Sequence, residues 1–240
     1  WVVALFATFK APAAGSFAFA AKHKVLSSPE IHFAVGADGL SLVLALLTVI
    51  VTWAAVWSIV DKDRIYYIAS LLIAAGALGA FLTTDIFFIY AFHELALIPT
   101  LLMIALYGHG ERKRAAWRIT IYLGVGSLIL LAGLLGTVWY CSPKTGLTFD
   151  LTALKPFDAA GKYAHFAPAN FFTLLVGFGT LVSLFPFHAW AAPAYSSAPT
   201  PVAMLHSGVL KKFGLYGLIR IALPLFPGVA QTPWIHNALL

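Results

Sequence analysis

The stretch that decides the fold is Asp85 to Gly108, DIFFIYAFHELALIPTLLMIALYG. It is long enough to cross a bilayer, since about 20 apolar residues span a hydrocarbon core roughly 30 Å thick. Near its middle lies one acid, Glu94, preceded by His93 and followed by Pro99. A carboxylate at that depth costs about 2.5 kcal/mol or more, so it faces the protein interior and finds partners. The stretch therefore predicts a transmembrane helix that holds or passes a proton; the alternative is a structural glutamate hydrogen-bonded to neighbouring helices.

Composition indicates that the whole chain is a membrane protein. Of its 240 residues, 61% are hydrophobic and only 10% are charged, whereas soluble domains are near 25% charged. The net charge of +6 could suggest nucleic acid, but the basic residues lie between apolar runs and are not interleaved with aromatic residues. We therefore expect a multi-pass protein in contact with the lipid bilayer, and no nucleic-acid partner.

The sequence offers no motif for a cofactor or a metal. The single cysteine, Cys141, excludes an intramolecular disulfide and a cysteine-based cluster or zinc site. CxxC, GxGxxG and GxxxxGK[ST] motifs are absent from the sequence, so we expect no cofactor or metal bound by this chain. The chain opens at Trp1 inside an apolar run and stops at Leu240 without a tail. We interpret it as one membrane domain that is a piece of a longer protein, truncated at both ends.

Hydropathy predicts an all-α, polytopic bundle with about six complete spans. They are expected near 39–60, 65–84, 86–108, 119–140, 166–187 and 202–223. The polar segment from Lys10 to Ala37 is predicted to be a connection, and Asp38 and Asp85 are predicted to cap the helices that follow them. The stretch 191–201, AAPAYSSAPTP, contains three prolines. It predicts either a loop or the interruption of a discontinuous helix.

The basic residues predict the orientation of the bundle. The basic loop 108–118 and the turn with Lys62 and Arg64 are separated by two predicted spans, so they lie on the same side. The positive-inside rule places both in the cytoplasm. The segment 142–165 is then expected on the opposite side.

The last predicted span carries His206, Lys211, Lys212 and Arg220. Successive residues on a helix lie about 100° apart, so only one of the two lysines can point directly inward. A central lysine is a natural partner for Glu94. The alternative is that both lysines extend to the surface, as we expect of Arg220 near the end of the span.

Three segments carry a family pattern: HELALIPTLLMIALYGHGERKRAAWRITIYL, TGLTFDLTALKP and PFHAWAAPAYSSAPTPVAMLHSGVLKKFGLYGLIRIALPLFP. They resemble subunit M of bacterial respiratory complex I, an antiporter-like, proton-translocating membrane subunit of NADH:quinone oxidoreductase. The similarity runs from about Val35 to Pro227. It implies a fragment of an antiporter-like inverted-repeat fold, from the third to the eighth of fourteen helices, with a discontinuous helix near 186–201.

The resemblance also implies roles for single residues. Glu94 matches the membrane glutamate of the first half-channel, and Lys212 matches the lysine that passes protons toward the centre of the membrane. His188 matches the histidine of the discontinuous helix. We expect a proton pathway made of Glu94, His188, His206 and Lys212, with His93 and Lys211 in secondary roles.

One position departs from the family pattern. The family pairs the glutamate with a lysine where this chain has Leu181, and the Asp and His that usually follow the tryptophan are replaced by Pro193 and Tyr195. Leu181 cannot ionise, and the predicted span 166–187 contains no other cation. We therefore expect that the first half-channel is either rewired through the last span or does not pump.

Three functions remain open. The leading one is a non-redox subunit that couples quinone reduction to proton transport in the bacterial cytoplasmic (inner) membrane. NADH, FMN, iron–sulfur clusters and quinone are then expected on partner subunits, with antiporter-like L- and N-type subunits as neighbours. The alternatives are an Mrp-type cation/proton antiporter, or a related subunit of a hydrogenase or inorganic-carbon transporter, and a structural subunit that does not pump. The runs ELALIP and YGLIRIALPLFP favour subunit M.

Overall fold

A bundle of helices carries a two-stranded β-hairpin at one end. The computed structural model describes residues 2–10, 16–59, 63–143, 146–157, 164–230 and 232. Three of the expectations above depend on Lys62 and on the two chain ends, Trp1 and Leu240. These three residues lie outside the described part of the chain. The elements are α1 (Val2–Thr8), β1 (Ala18–Ser27), β2 (Glu30–Ala37), α2 (Gly39–Trp57), α3 (Arg64–Leu82), α4 (Ile86–Tyr107), α5 (Arg112–Cys141), α6 (Ala167–Val182), α7 (Ala191–Ser197), α8 (Thr200–Leu205), α9 (Lys211–Gly217), α10 (Leu223–Leu225) and α11 (Pro227–Ala230). We call residues 200–225, which run through α8, α9 and α10, the last helix.

Helices α2 to α5 are, within the described residues, those long and apolar enough to cross a membrane, while the apolar helix α6 is shorter. Aspartates begin three of these helices. The side chain of Asp38 accepts from Ser41 N, and Asp85 accepts from Phe87 N, so both predicted caps are confirmed. Asp63 caps α3 in the same way, because a carboxylate satisfies a backbone N–H that the first turn leaves without a partner.

The basic segment differs from its prediction. Helix α5 begins at Arg112, whereas the sequence predicted a loop from 108 to 118. Polar residues can extend a spanning helix past the bilayer, and hydropathy alone detects only the apolar part of it. At this end of the bundle the Tyr107 hydroxyl donates to the Asp63 carboxylate at 2.8 Å, so the two short connections do lie together. We call it the basic end.

The hairpin is an addition that the all-α prediction missed. Strands β1 and β2 pair antiparallel, with Ala21 opposite Val35 and His23 opposite Phe33. β1 is mostly exposed, whereas β2 buries Ile31 and Ala34. The alternation of buried and exposed residues is incomplete in β1. The strand therefore had no clear sequence signal, and we interpreted the segment as a connection.

The residues 146–157 pack against the hairpin at the end of the bundle opposite the basic segment. Phe149 N donates to Glu30 O at 3.0 Å, and Ile86 N donates to Phe149 O at 2.8 Å. Leu151 N donates to Thr84 O at 2.9 Å. These bonds join the hairpin, the start of α4 and the 146–157 segment into one structure, which we call the hairpin cap.

The discontinuous helix is present, with a long break at 183–190 and a short interruption at 198–199, inside the predicted stretch 191–201. α6 ends at Val182, and its C-cap Ser183 has a left-handed backbone with φ of 67°. The chain then turns before α7 begins at Ala191. Pro193 and Pro201 lie in the first turns of α7 and α8, where a missing N–H leaves no helical bond unmade.

Two π-helical segments, His206–Leu210 and Leu218–Ala222, interrupt the last helix. Such single-turn insertions change the direction of the side chains that follow and are frequent at functional sites. The first of them ends immediately before Lys211 and Lys212.

Glycines bring α5 and α6 close together. A Cβ added to Gly177 would lie 2.7 Å from Leu130 Cα, and one added to Gly126 would lie 2.6 Å from Thr180 Cγ2. Small residues permit this approach where lipid supplies little driving force between helices. The contact places Thr180, just before Leu181, against the residue that precedes Ser127.

Candidate functional site

Glu94 is held by side chains from two helices. It lies on α4 with its side chain 29% exposed. Ser127 of α5 donates a hydrogen bond from Oγ to Glu94 Oε1, and the same Oγ lies 3.2 Å from the Tyr90 hydroxyl. Tyr90 precedes Glu94 by four residues and so lies on the same helix face. The hydroxyl groups of Ser127 and Tyr90 therefore lie near the Glu94 carboxylate.

His93 connects Glu94 to the last helix. Its Nδ1 lies 3.4 Å from Glu94 Oε1, within ion-pair distance, but forms no hydrogen bond with the described residues. The imidazole is buried and stacks on Phe213, with ring centroids 4.3 Å apart and planes inclined by 20°. Phe213 directly follows Lys212, so the histidine lies between the glutamate and the lysine helix.

His206 forms a second group at the other side of the break. Its Nδ1 lies 2.9 Å from the Tyr195 hydroxyl, and Trp190 meets the imidazole edge-on at 5.5 Å. Trp190 is itself fixed by a bond from Nε1 to Thr180 O at 3.1 Å. The ring of His206 is buried among these aromatic residues.

The two lysines have different surroundings. Lys211 Nζ lies over the rings of Trp190 and Tyr195, at 5.5 and 5.2 Å from their centroids, as in a cation–π contact. Lys212 Nζ donates to Ser207 O at 3.0 Å, inside the first π-helical segment. Neither forms an ion pair with the described residues. The structure thus does not pair Lys212 directly with Glu94.

His188 is separate from these groups. It is exposed on the turn at the helix break and stacks on Phe185 at 5.8 Å. Leu181, at the place of the family lysine, is buried in the apolar core of the bundle. The structure therefore brings together five of the six residues predicted for the pathway, in two neighbouring groups: Glu94 and His93, and His206, Lys211 and Lys212.

The sequence predicted that Arg220 extends to the surface, but in the structure it does not. Its Nη1 lies 2.7 Å from Asp38 Oδ2, and both side chains are largely buried. The guanidinium also lies 4.4 Å from the ring centroid of Phe17. Arg220 lies near the end of a span and pairs with a carboxylate, because burying a paired charge costs less free energy than burying a single one.

The pKa values of two aspartates in the hairpin cap are shifted in opposite directions. Burial raises the pKa of Asp85, although hydrogen bonds from the backbone N–H of His32 and Phe87 offset part of the effect. Burial also acts to raise the pKa of Asp150, but the ammonium of Lys22, 2.6 Å away, and the bonds from Thr152 outweigh it and hold that pKa below its usual value.

Sequence reasoning missed three polar side chains of the site. Tyr90 had a detectable signal, because it lies one helical turn before Glu94. Tyr195 was noted only as a departure from the family pattern. Ser127 had no signal, since it comes from another helix. Among the described residues no three His, Cys, Asp or Glu side chains are grouped so that they could hold a metal ion.

The arrangement can hold and exchange protons. A carboxylate, two imidazoles, two ammonium groups and three hydroxyls lie within the interior of the bundle, and each can donate or accept a proton at a defined atom. Titratable groups inside a membrane are costly and mark proton or ion pathways. The arrangement is therefore chemically able to transfer protons.

Comparison with known proteins agrees with this chemistry. Residues 83–240 match the family described as NADH:quinone oxidoreductase/Mrp antiporter, TM. The chain belongs to this family. It is 35% identical over 211 residues to the chloroplastic NAD(P)H-quinone oxidoreductase chain 4 of Chaetosphaeridium globosum, a match that covers 86% of this chain and 41% of that protein. The chain thus spans less than half the length of this curated relative.

Solved structures show the same fold. Respiratory complex I from Thermus thermophilus with bound NADH contains a chain with a TM-score of 0.78 and 31% identity, covering 95% of this chain and 46% of that one. The Mrp complex from Dietzia sp. DQ12-45-1b gives a TM-score of 0.71 and 25% identity, covering 91% and 41%. The predicted resemblance to subunit M and the predicted antiporter-like bundle are confirmed.

Proposed function

We propose that this chain is a proton-translocating subunit of an NADH:quinone oxidoreductase. Quinone reduction on partner subunits would shift charges in the membrane arm, and Glu94 and the last helix would respond by exchanging protons through internal water. The observation that carries this proposal is the placement of Glu94 in mid-helix, partly buried, in contact with His93 and Ser127. A carboxylate that only joined helices would not need a titratable neighbour at ion-pair distance.

The pathway would run from Glu94 through His93 to the last helix. His93 stacks on Phe213, which directly follows Lys212, and Lys211 lies over the ring of Tyr195, whose hydroxyl meets His206. The lysine missing at position 181 would be replaced by groups on α4 and the last helix. This arrangement supports the rewired half-channel over a silent one. The place of His188 in the pathway rests on family likeness alone.

The surroundings of the chain follow from the same proposal. Antiporter-like L- and N-type subunits would be its neighbours in the membrane arm, and NADH, FMN, iron–sulfur clusters and quinone would bind to partner subunits. The membrane would be the bacterial cytoplasmic membrane, with the basic end in the cytoplasm.

A second candidate is a subunit of an Mrp-type cation/proton antiporter. The likeness to the Mrp complex of Dietzia, with a TM-score of 0.71, favours it. Transport that requires sodium and proceeds without quinone reduction would support this second function and contradict the first.

The proposal is tested by proton pumping in membrane vesicles that hold the intact complex. Glu94→Gln keeps the size of the side chain and removes its exchangeable charge. We expect electron transfer to continue while the proton gradient falls severalfold. Glu111→Gln, an exposed acid at the basic end, is the matched control and should leave the gradient unchanged. An undiminished gradient in Glu94→Gln would mean that the subunit is a scaffold in this half.

A further inference from the structure

An apolar groove lies between α4 and α5 at the basic end of the bundle. Its volume is about 340 Å³. One wall is formed by α4 residues spaced at helical intervals between Ile98 and Ala105, and the other by Ala116 and Thr120 of α5. The lining residues Ile98 and Leu102 are each 55% exposed, so the groove opens outward from the bundle.

The rim of the groove carries a cation and an indole. Lys113 and Trp117 lie one helical turn apart on α5, and the Trp117 side chain is 69% exposed. Trp side chains in this position lie at the level of the lipid headgroups, with the apolar ring in the acyl region and the N–H in the wet layer. The rim is therefore at the membrane surface, and the apolar walls extend from it into the hydrocarbon.

Lys113 is the cation among the described residues that line this groove, and it is free to bind a ligand. Arg112 donates to Leu106 O at 2.6 Å, and Arg114 pairs with Glu111 at 3.3 Å. Lys113 forms no ion pair or hydrogen bond with the residues that the structure describes. Lys113 lines the groove, and the surrounding segment contains four Lys or Arg residues and one acid between 109 and 118.

The depth of the groove suits a lipid chain. The wall from residue 98 to residue 105 rises about 1.5 Å per residue, or about 10 Å in all. One leaflet contributes about 15 Å of hydrocarbon. A groove of this length can hold most of the membrane-crossing part of one acyl chain, with its headgroup at the rim.

We propose that this groove binds one anionic phospholipid. An acyl chain lies between α4 and α5, the phosphate binds Lys113, and Trp117 packs beside the glycerol region. The positive rim selects an anionic headgroup over a zwitterionic one, since each basic residue near the surface attracts anionic lipid. This inference does not depend on proton transport by the chain.

The test is native mass spectrometry of the intact, delipidated complex after addition of phosphatidylglycerol or phosphatidylcholine. We expect one retained phosphatidylglycerol that phosphatidylcholine does not replace. Lys113→Gln should weaken its binding about fivefold, the value of one charge near the surface. Lys24→Gln, an exposed cation on the hairpin, is the charge-matched control and should not change it.

A second pair of variants tests the groove itself. Ala105→Trp should fill it and abolish lipid retention, whereas Ala132→Trp, an exposed position elsewhere on α5, should have no effect. Equal retention of the two lipids, or unchanged binding in Lys113→Gln, would overturn the proposal. So would a disulfide from Leu102→Cys to a neighbouring subunit, because protein would then cover the groove.

Discussion

At the scale of single residues, position 181 is where this chain departs from the family pattern expected from its sequence, because Leu181 is buried and cannot ionise. Among the described residues, His93 lies at ion-pair distance from Glu94, at 3.4 Å. An imidazole has two ring nitrogens that can donate or accept a proton, which a leucine lacks. The histidine thus places such a nitrogen beside the carboxylate.

His93→Phe tests this role, because phenylalanine preserves the stacking on Phe213 and removes both nitrogens. We expect the number of protons pumped per electron to fall, with electron transfer retained, as measured in vesicles. Adding Leu181→Lys should restore part of the loss, since it introduces a cation next to Thr180, which packs against the residue that precedes Ser127.

The neutral variant Leu181→Met is the control for packing and should restore nothing. Pumping by His93→Phe at the level of the parent would show that the imidazole does not take part. In that case Lys212 or Lys211 would have to serve as the cation.

Much of the site could be predicted at this scale, and the reason is chemical. Glu94, His93 and Lys212 stand out because charged groups are rare in apolar runs. Ser127 could not be found, since serine is common in spans and its partner lies 33 residues away on another helix. Arg220 was misjudged for a related reason: its carboxylate, Asp38, is 182 residues distant in sequence.

At the scale of elements, the last helix owes its arrangement to the break that precedes it. The Tyr195 hydroxyl of α7 meets His206 Nδ1 at 2.9 Å, and this bond joins α7 to the start of the first π-helical segment. A buried imidazole nitrogen that loses its partner costs about 1–3 kcal/mol. The bond therefore holds α7 against the start of the last helix.

Tyr195→Phe should loosen this contact. We expect faster hydrogen exchange in residues 200–217 of the intact complex, by roughly five- to a hundredfold if the whole cost appears as local opening. Tyr122→Phe, on the exposed face of α5, removes a hydroxyl without a buried partner and serves as control. Equal exchange in the two variants would contradict the role of the bond.

Element boundaries were predicted less well than element existence. The apolar runs located the helices, but the polar first turn of α5 and the hairpin lay outside what hydropathy detects. The stretch 191–201 is interrupted only at 198–199, and the longer break lies at 183–190, because prolines in the first turn of a helix are tolerated. Only the backbone shows that the chain turns at Ser183, whose left-handed conformation has no strong sequence signal.

At the scale of the whole molecule, the hairpin cap ties distant parts of the chain to one end of the bundle. The ion pair between Lys22 and Asp150 joins β1 to the 146–157 segment, and the pair between Arg220 and Asp38 joins the last helix to α2. Both pairs lie at the hairpin end, away from the basic end. Together they restrain the 146–157 segment, the start of α2 and the end of the last helix.

The pair in the hairpin cap predicts a pH dependence. Because the pKa of Asp150 is lowered in the folded state, its stabilising effect is complete above its unfolded pKa, near 4, and is lost as the pH falls through the folded value. Asp150→Asn should therefore speed hydrogen exchange of the hairpin at pH 7. The difference from the parent should begin to shrink as the pH falls below about 4 and should vanish below the lowered folded pKa.

Asp150→Asn should lower the free energy of opening the hairpin by about 1–2 kcal/mol at pH 7. The value is modest because Lys22 is partly exposed and solvent weakens the pair. Asp63→Asn, which removes a carboxylate hydrogen-bonded at the opposite end, is the control and should leave the hairpin unchanged. A difference that persists at low pH would show that the loss is one of packing, not of charge.

The measurement that tests the central claim most directly is a double-mutant comparison of the proton-to-electron ratio in vesicles. The claim is that Glu94 and Lys212 belong to one pathway. If so, the pair Glu94→Gln and Lys212→Met should lower the ratio no further than either change alone, because residues that act as a unit are not additive. Losses that add in the double variant would place the two residues on separate routes and contradict the account.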